Sequence, residues 1–352
     1  MGKKILYFVS EDWVFCSHRL PLAVAAKNAG YEVTVVTHVQ NHGEQIRSAG
    51  LRLVPIDFSR RGVNPFHELM VLWRLFRIYR VEDPHLVHHV ALKPVLYGSI
   101  VAWFTRVPVV VNAYTGLGFL FISSAWHVRI LRRLVTTVLG WLSNRFDTYA
   151  VFQNPDDMRL LMDMGVAKPD HSVLIRGSGV DTKVFSPSPE PDGVPVVVLV
   201  SRMLWDKGVG EFVQAAKHLT SEGISARFVL VGDSDQDNPA AIPTVQLDSW
   251  RQSGLIEWWG HRTDIPAVMA QAHIVCLPSY REGLPKVLLE AASCGKPLVA
   301  TDVPGCREIV HHGENGFLVK KADVESLAEA LKCLIADRDL RESMGRRGRA
   351  IV

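Results

Sequence analysis

Arg202 and Lys207 sit on either side of Met-Leu-Trp-Asp in the stretch Val200-Ser-Arg-Met-Leu-Trp-Asp-Lys-Gly208. A guanidinium supplies a fork of donors and an ammonium a compact charge, a combination suited to two linked phosphates. Two solvated surface cations would show the same spacing. Downstream lies Glu282-Gly-Leu-Pro-Lys-Val-Leu-Leu-Glu290. Gly283 and Pro285 are expected to open a helix whose first amides have no partner. Those amides and the helix dipole can hold an anion or a sugar hydroxyl, with Glu282 at the mouth. Glu290 follows two turns later among Val287, Leu288, Leu289, Ala291 and Ala292. A carboxylate in such apolar company needs a partner. A ribose diol would serve, although a helix start with a surface Glu is the plainer reading.

Other stretches fail as sites. Asp233-Ser-Asp235 has the form of a metal-binding triplet but lacks that context, and Gly116-Leu-Gly118 lacks the third glycine of a dinucleotide fingerprint. His88-His89 and His311-His312 have neither metal-ligand spacing nor a third ligand. No Walker A loop occurs, so no metal and no cofactor is expected.

These residues need elements to place them. Lys4–Val9, Glu32–Thr37, Leu51–Asp57, His85–Val90, Val107–Val111 and Thr148–Phe152 read as strands, with helices over 18–29, 65–80, 93–105 and 126–146. A Pro- and Gly-punctuated stretch, 187–193, reads as a linker. The alternation then restarts with strands at Val196–Val200, Arg227–Val231, Ile256–Trp258, Ile274–Leu277 and Pro297–Ala300. Helices follow near 208–220, 264–271, 284–294 and 323–336. Strand–helix alternation implies parallel sheets covered on both faces. The fold class is therefore α/β, with two doubly wound Rossmann-like domains, 1–186 and 187–352, facing across a cleft. Ligands of such sheets bind beyond the carboxyl ends of the strands.

The chain has 352 residues, 48% apolar and 21% charged, which excludes disorder, collagen and a coiled coil. Five cysteines without a CxxC pair argue against a disulfide scaffold or a zinc module. The five-residue apolar run Ile5–Val9 is too short for a secretory leader, and no apolar stretch reaches the ~20 residues of a spanning helix. A cytoplasmic protein is expected. Its formal charge of +3 hides an asymmetry. Residues 1–186 carry 21 Lys and Arg against 14 Asp and Glu, while 187–352 carry 18 against 22. A basic half points to an anionic partner.

In the 126–146 helix, Ile130, Leu131, Leu134, Val135, Val138, Leu139 and Leu142 recur at helical spacing. Arg129, Arg132, Arg133, Thr136 and Thr137 fall on the other side, and Trp126, Trp141 and Phe146 flank it. A core-facing helix fits this pattern, as does an Arg-rich helix at a membrane surface. Arg74, Arg77 and Arg80 add a second basic stripe. No nucleic-acid-binding module is recognisable.

Ser-Arg-x(4)-Lys-Gly, Glu-x(7)-Glu and the Ala-x-x-Cys-Gly-Lys-Pro-Leu-Val-Ala-Thr-Asp-Val-Pro-Gly that follows resemble the donor domain of GT-B fold retaining glycosyltransferases of family four. Leu230-Val-Gly-Asp233, Gly260-His261 and Glu314-Asn-Gly-Phe-Leu-Val319 come in that family's order. Ser17-His-Arg-Leu-Pro-Leu22, His88-His-Val-Ala-Leu-Lys-Pro94 and Asn112-Ala-Tyr-Thr-Gly-Leu-Gly-Phe-Leu-Phe121 resemble a bacterial subgroup that extends undecaprenyl-diphosphate-linked oligosaccharides. That subgroup includes N-acetylgalactosaminyltransferases of the lipid-linked diacetylbacillosamine type and relatives in capsule and O-antigen assembly.

The resemblance implies that Arg202 and Lys207 neutralise the donor diphosphate, Glu282 touches the donor sugar and Glu290 the ribose. Gly283 and Leu284 offer amides to the diphosphate, and His261 and Arg262 lie near the base. Many members carry a His near the Thr-Gly-Leu-Gly position. Here the backbone around Thr115 and Gly116 is expected to take that role. The activity implied is metal-independent transfer, with retention, of an N-acetylhexosamine or deoxy relative. The UDP-sugar donor binds the C-terminal domain and the lipid-diphosphate-linked saccharide the N-terminal domain, at an anionic membrane surface. Arg19 and Lys93 are then expected to hold the acceptor diphosphate, with His18 and His89 lining its pocket. Members usually continue past Arg346–Val352 into a helix crossing back onto the first domain, so a shortened end is expected. A UDP-sugar epimerase of the same fold would release free sugar without an acceptor. A non-catalytic nucleotide-sugar-binding protein would bind UDP without turnover.

Overall fold

A computed structural model of the protein describes residues 2–58, 65–123, 125–145, 147–235 and 238–352, without the side chain of Phe119. The chain divides into two compact units, Met1–Ser178 and Gly179–Val352.

The first unit is built on β1 (Lys4–Glu11), β2 (Glu32–His38), β3 (Arg52–Pro55), β4 (Leu86–Val90), β5 (Val109–Tyr114), β6 (Asp147–Phe152) and β7 (Ser172–Leu174). These pair in parallel in the order β3-β2-β1-β4-β5-β6-β7. The crossover direction switches between β1 and β4, which opens a crevice at their carboxyl ends. Tyr7 pairs with His88 and Phe8 with His89 in the β1–β4 register, so the two histidines fall on opposite faces of the sheet.

The helix expected over 18–29 is Leu20–Asn28, and a further helix, Asp12–His18, precedes it. In a continuous helix Pro21 would have no amide for the Ser17 carbonyl and its ring would clash with it, so the chain breaks at Arg19, with φ −128° and ψ −18°. The Trp126–Ser143 helix carries two apolar stripes rather than one. Val128, Val135, Leu139 and Leu142 are buried, whereas Trp126, Ile130, Leu131, Leu134 and Trp141 are exposed. Thr136, expected on the polar side, is buried and donates its hydroxyl to the Arg132 carbonyl. Phe146 lies outside the described residues. No described helix is long and apolar enough to cross a membrane.

The second unit repeats the plan. Its strands β8 (Val196–Val200), β9 (Arg227–Val231), β10 (Glu257–Trp258), β11 (Ile274–Leu277), β12 (Leu298–Thr301) and β13 (Gly316–Val319) run parallel in the order β10-β9-β8-β11-β12-β13. β8 reads Val-Val-Val-Leu-Val, the continuous apolar run of a strand covered on both faces. The division between units falls after Ser178 rather than between 186 and 187. Phe185 packs into the core of the second unit, and its carbonyl accepts from Ser293 Oγ at 2.6 Å and Arg349 Nη1 at 3.1 Å. Arg341 grips Glu190 with two hydrogen bonds of 2.9 and 2.6 Å. The Pro-rich stretch read as a linker is thus fastened to one unit.

Candidate active site

The segment after β8 is pinned at its start, where Ser201 N donates to Val231 O and Met203 N to Asp233 O, both at 3.0 Å. It then makes a single 3-10 turn, Trp205–Lys207, and reverses at Gly208 with φ +72°. A side chain at Gly208 would also overlap the Pro278 carbonyl. Only glycine allows both the left-handed backbone and the close approach to the segment after β11. Tyr280 N completes the join by donating to Asp206 O at 2.9 Å.

That join brings expected residues together. Lys207 Nζ lies 2.5 Å from Glu282 Oε1, with side chains 20% and 12% exposed. Arg202 Nη1 donates to Asp235 Oδ2 at 2.8 Å, so one carboxylate of the Asp-x-Asp triplet is an ion-pair partner. Asp206, which the sequence reading passed over, lies among them with a buried Oδ1 that has no hydrogen-bond partner. Burial raises its carboxyl above the ordinary range, Lys207 and Arg202 oppose the rise, and Glu282 adds to it. Its position between two cations was the available signal.

The helix after Glu282 runs Lys286–Ser293 with Pro285 as its N-cap and no side-chain cap. Gly283 is buried ahead of it, and Leu284 packs partly into the core of this unit. Glu290 is buried, and burial raises its carboxyl despite Lys286 Nζ at 3.4 Å. The partner sought for Glu290 from sequence is supplied in part by that lysine. His261 is exposed after Gly260, whose carbonyl accepts from Gly232 N at 2.8 Å. Arg262 is engaged with Asp264 by hydrogen bonds of 2.7 and 2.5 Å.

In the first unit, Thr115 and Gly116 follow β5 and are half-buried. His18 Nδ1 lies 3.1 Å from Ser178 Oγ. One acceptor assignment changes. His89 is fully buried, with Nδ1 2.8 Å from Asn112 Oδ1 and Nε2 2.9 Å from Tyr79 OH. Burial lowers its pKa to about 4. The Asn112 carbonyl oxygen can only accept, so Nδ1 carries the proton and Nε2 accepts from the tyrosine. His89 is thus a satisfied core residue and lines no pocket. Lys93 donates to Glu68 Oε1 at 2.9 Å and sits 5.0 Å from the Phe58 ring centroid. Tyr97 OH donates to the other Glu68 oxygen at 2.7 Å. The Lys93 charge is therefore matched by a carboxylate and an aromatic face, as Lys207 is matched by Glu282.

Arg19 instead has a different neighbour. Its side chain is buried, Nη1 donates to His18 O at 3.2 Å, and Nε has no partner. His88 stacks on Tyr7 with centroids 5.1 Å apart and feels the Arg19 charge.

Residues 180–351 match the family described as glycosyl transferases group 1, and residues 4–141 match glycosyl transferase 4-like. Over 341 residues the chain is 28% identical to the N,N'-diacetylbacillosaminyl-diphospho-undecaprenol alpha-1,3-N-acetylgalactosaminyltransferase of Campylobacter jejuni, covering 93% of this chain and 88% of the relative. Over 296 residues it is 26% identical to the UDP-Gal:alpha-D-GlcNAc-diphosphoundecaprenol alpha-1,3-galactosyltransferase of Escherichia coli, covering 80% and 74%. Anabaena HepE, solved in complex with UDP and glucose, superposes with a TM-score of 0.78 at 20% identity, covering 99% of this chain and 94% of that one.

Proposed function

Because the chain belongs to the GT-B glycosyltransferases of group 1, we propose that it transfers a sugar from a UDP-sugar to an undecaprenyl-diphosphate-linked saccharide during surface glycan assembly. The sugar is an N-acetylhexosamine or a deoxy relative, and its anomeric configuration is retained. The observation that carries this reading is the charged cluster Arg202–Asp235 and Lys207–Glu282 at the carboxyl ends of β8 and β11. The substrate names of the Campylobacter and Escherichia relatives support the acceptor class.

Carboxylates hold both cations. An arriving diphosphate competes for Arg202 and Lys207 and supplies the counter-charge they face. Amides of Gly283 and Leu284 cap it, Glu282 meets the sugar and Glu290 the ribose. The bond from the anomeric carbon to the phosphate oxygen then breaks while the acceptor oxygen bonds to that carbon on the same face. The acceptor proton goes to the leaving phosphate. Cations aimed at the developing phosphate charge supply the main catalytic term, which needs no metal ion.

The first unit meets the inner leaflet of the cell membrane. Phe66 is 83% and Trp126 73% exposed, and Trp73, Ile130 and Leu134 are exposed as well. The Trp126–Ser143 helix has no acidic residue, and Arg129 and Arg133 are exposed on it. Aromatic and aliphatic side chains interleaved with arginines suit an anionic interface, where each cation adds about 1 kcal/mol.

Two experiments test the proposal. UDP- and GDP-sugars are screened against polyprenyl-diphosphate saccharides, with products read by mass spectrometry and their anomeric configuration by NMR. Lipid-linked product from a UDP-sugar is expected. Free epimerised sugar without acceptor, or UDP binding without turnover, overturns the transferase assignment. In flotation with anionic liposomes, wild type is expected at the top and an Arg129→Glu, Arg132→Glu, Arg133→Glu variant at the bottom. Normal flotation of that variant places the membrane contact elsewhere.

A further inference from the structure

Arg19 is the unusual charge of the first unit. The break between the Asp12–His18 and Leu20–Asn28 helices turns its side chain inward, where it is 8% exposed. Among the described residues its side chain forms no ion pair, makes one hydrogen bond, the 3.2 Å contact to its neighbour's carbonyl, and leaves Nε buried without a partner. An isolated cation is costly to bury, and one that persists is ordinarily matched by a counter-charge. The groups that face it are neutral. Burial pushes the Tyr7 phenol up to about 12, and burial followed by the Arg19 charge pushes His88 down to about 3. The His88 ring is held flat against Tyr7, with its Nε2 also buried and unpartnered. Tyr7 and His88 pair at the middle of the β1–β4 register, two residues short of its carboxyl end at Val9 and Val90, beyond which the crevice of the sheet opens.

We propose that Arg19 and His88 form an oxyanion subsite that receives a phosphate oxygen of a substrate, the guanidinium supplying the charge and the imidazole a directed N–H. This rests on the glycosyltransferase reading and deepens it, for two substrates of that reaction carry a diphosphate. One is the lipid acceptor and the other the nucleotide donor. It pairs Arg19 with His88, while Lys93 has Glu68 as its partner.

The test uses the full chain and two variants, Arg19→Met and His88→Phe. The first keeps the volume of the side chain without its charge. The second keeps the ring stacked on Tyr7 without its nitrogens. Calorimetry measures UDP, and a short-chain polyprenyl-diphosphate saccharide in detergent serves as the acceptor probe. Arg19→Met is expected to weaken one of these ligands by at least about tenfold, and His88→Phe the same ligand by a smaller factor. The ligand affected identifies the source of the phosphate. The melting temperature of Arg19→Met should hold or rise, because an unmatched buried charge has been removed. Unchanged affinity for both ligands overturns the subsite. So does a large fall in melting temperature of Arg19→Met with normal binding by His88→Phe, which would make Arg19 structural. If wild type binds neither probe, the transferase reading fails separately. Inorganic pyrophosphate then decides the subsite: thermal protection of wild type that is lost in Arg19→Met sustains it, and no protection overturns it.

Discussion

Replacing Lys207 with Met removes the ammonium while keeping most of the side-chain volume. Its Nζ is 2.5 Å from Glu282 Oε1. At an effective dielectric of about 20 the gross attraction is roughly 7 kcal/mol, and desolvation of the two groups offsets most of it. A net loss of about 2 kcal/mol follows for this partly exposed pair, because Glu282 is left beside the carboxyl of Asp206 without its cation. For a unit of this size that corresponds to a fall in Tm of roughly 4–8 °C. Catalysis should fall further. Losing one preorganised charge on the leaving diphosphate lowers kcat/KM by about 100-fold or more. The double variant Lys207→Met, Glu282→Gln separates the two effects. It should recover most of the lost Tm, since no carboxylate is stranded, and none of the activity. Differential scanning calorimetry and initial rates with a fixed acceptor read both quantities. A single variant within about tenfold of wild-type kcat/KM would refute the diphosphate role of Lys207. A double variant as unstable as the single one would refute the charge argument for the pair.

Gly98→Ala should destabilise the first unit by about 1–3 kcal/mol in urea unfolding, because the new methyl would overlap the buried His89 ring, which Tyr79 and Asn112 hold on both sides. Acid should weaken the same unit. The pKa of His89 is about 4 when folded against the ordinary 6.5, so the unfolded chain binds more protons and stability falls as pH drops from 6.5 towards 4. The slope is about 1.4 kcal/mol per pH unit, with His88 acting in the same direction, and an His89→Asn variant should flatten the curve between pH 7.5 and 5.0. Excess EDTA should leave most of the activity, whereas complete loss restored by Mg²⁺ would make Asp233 and Asp235 ligands and require Arg202 to release Asp235.

The alternation of Val-rich strands with amphipathic helices, and the loops that carry Arg202, Lys207 and Glu282, are legible in the sequence. Each depends on residues within a few positions of one another: apolar periodicity, a glycine at a reversal, a proline at a helix start. β7, three residues long, carried too little pattern to be read. Side-chain partners follow a different logic. The alternation of His88 and His89 along β4 says that they face opposite ways, but Tyr79, Gly98 and Asn112 decide that His89 is the one sealed in the core. Lys93 is paired with Glu68, a residue of a different helix that nothing in the sequence around Lys93 points to. The stretch 187–193 looks like a linker until Arg341 closes on Glu190 from far along the chain. The same helix spacing around Trp126–Ser143 serves a core stripe and an exposed stripe together, and only packing against the sheet separates them. Local backbone preference is set by neighbours in sequence. The matching of charges and the choice of buried face are set by neighbours in space, which a parallel sheet gathers from segments far apart along the chain.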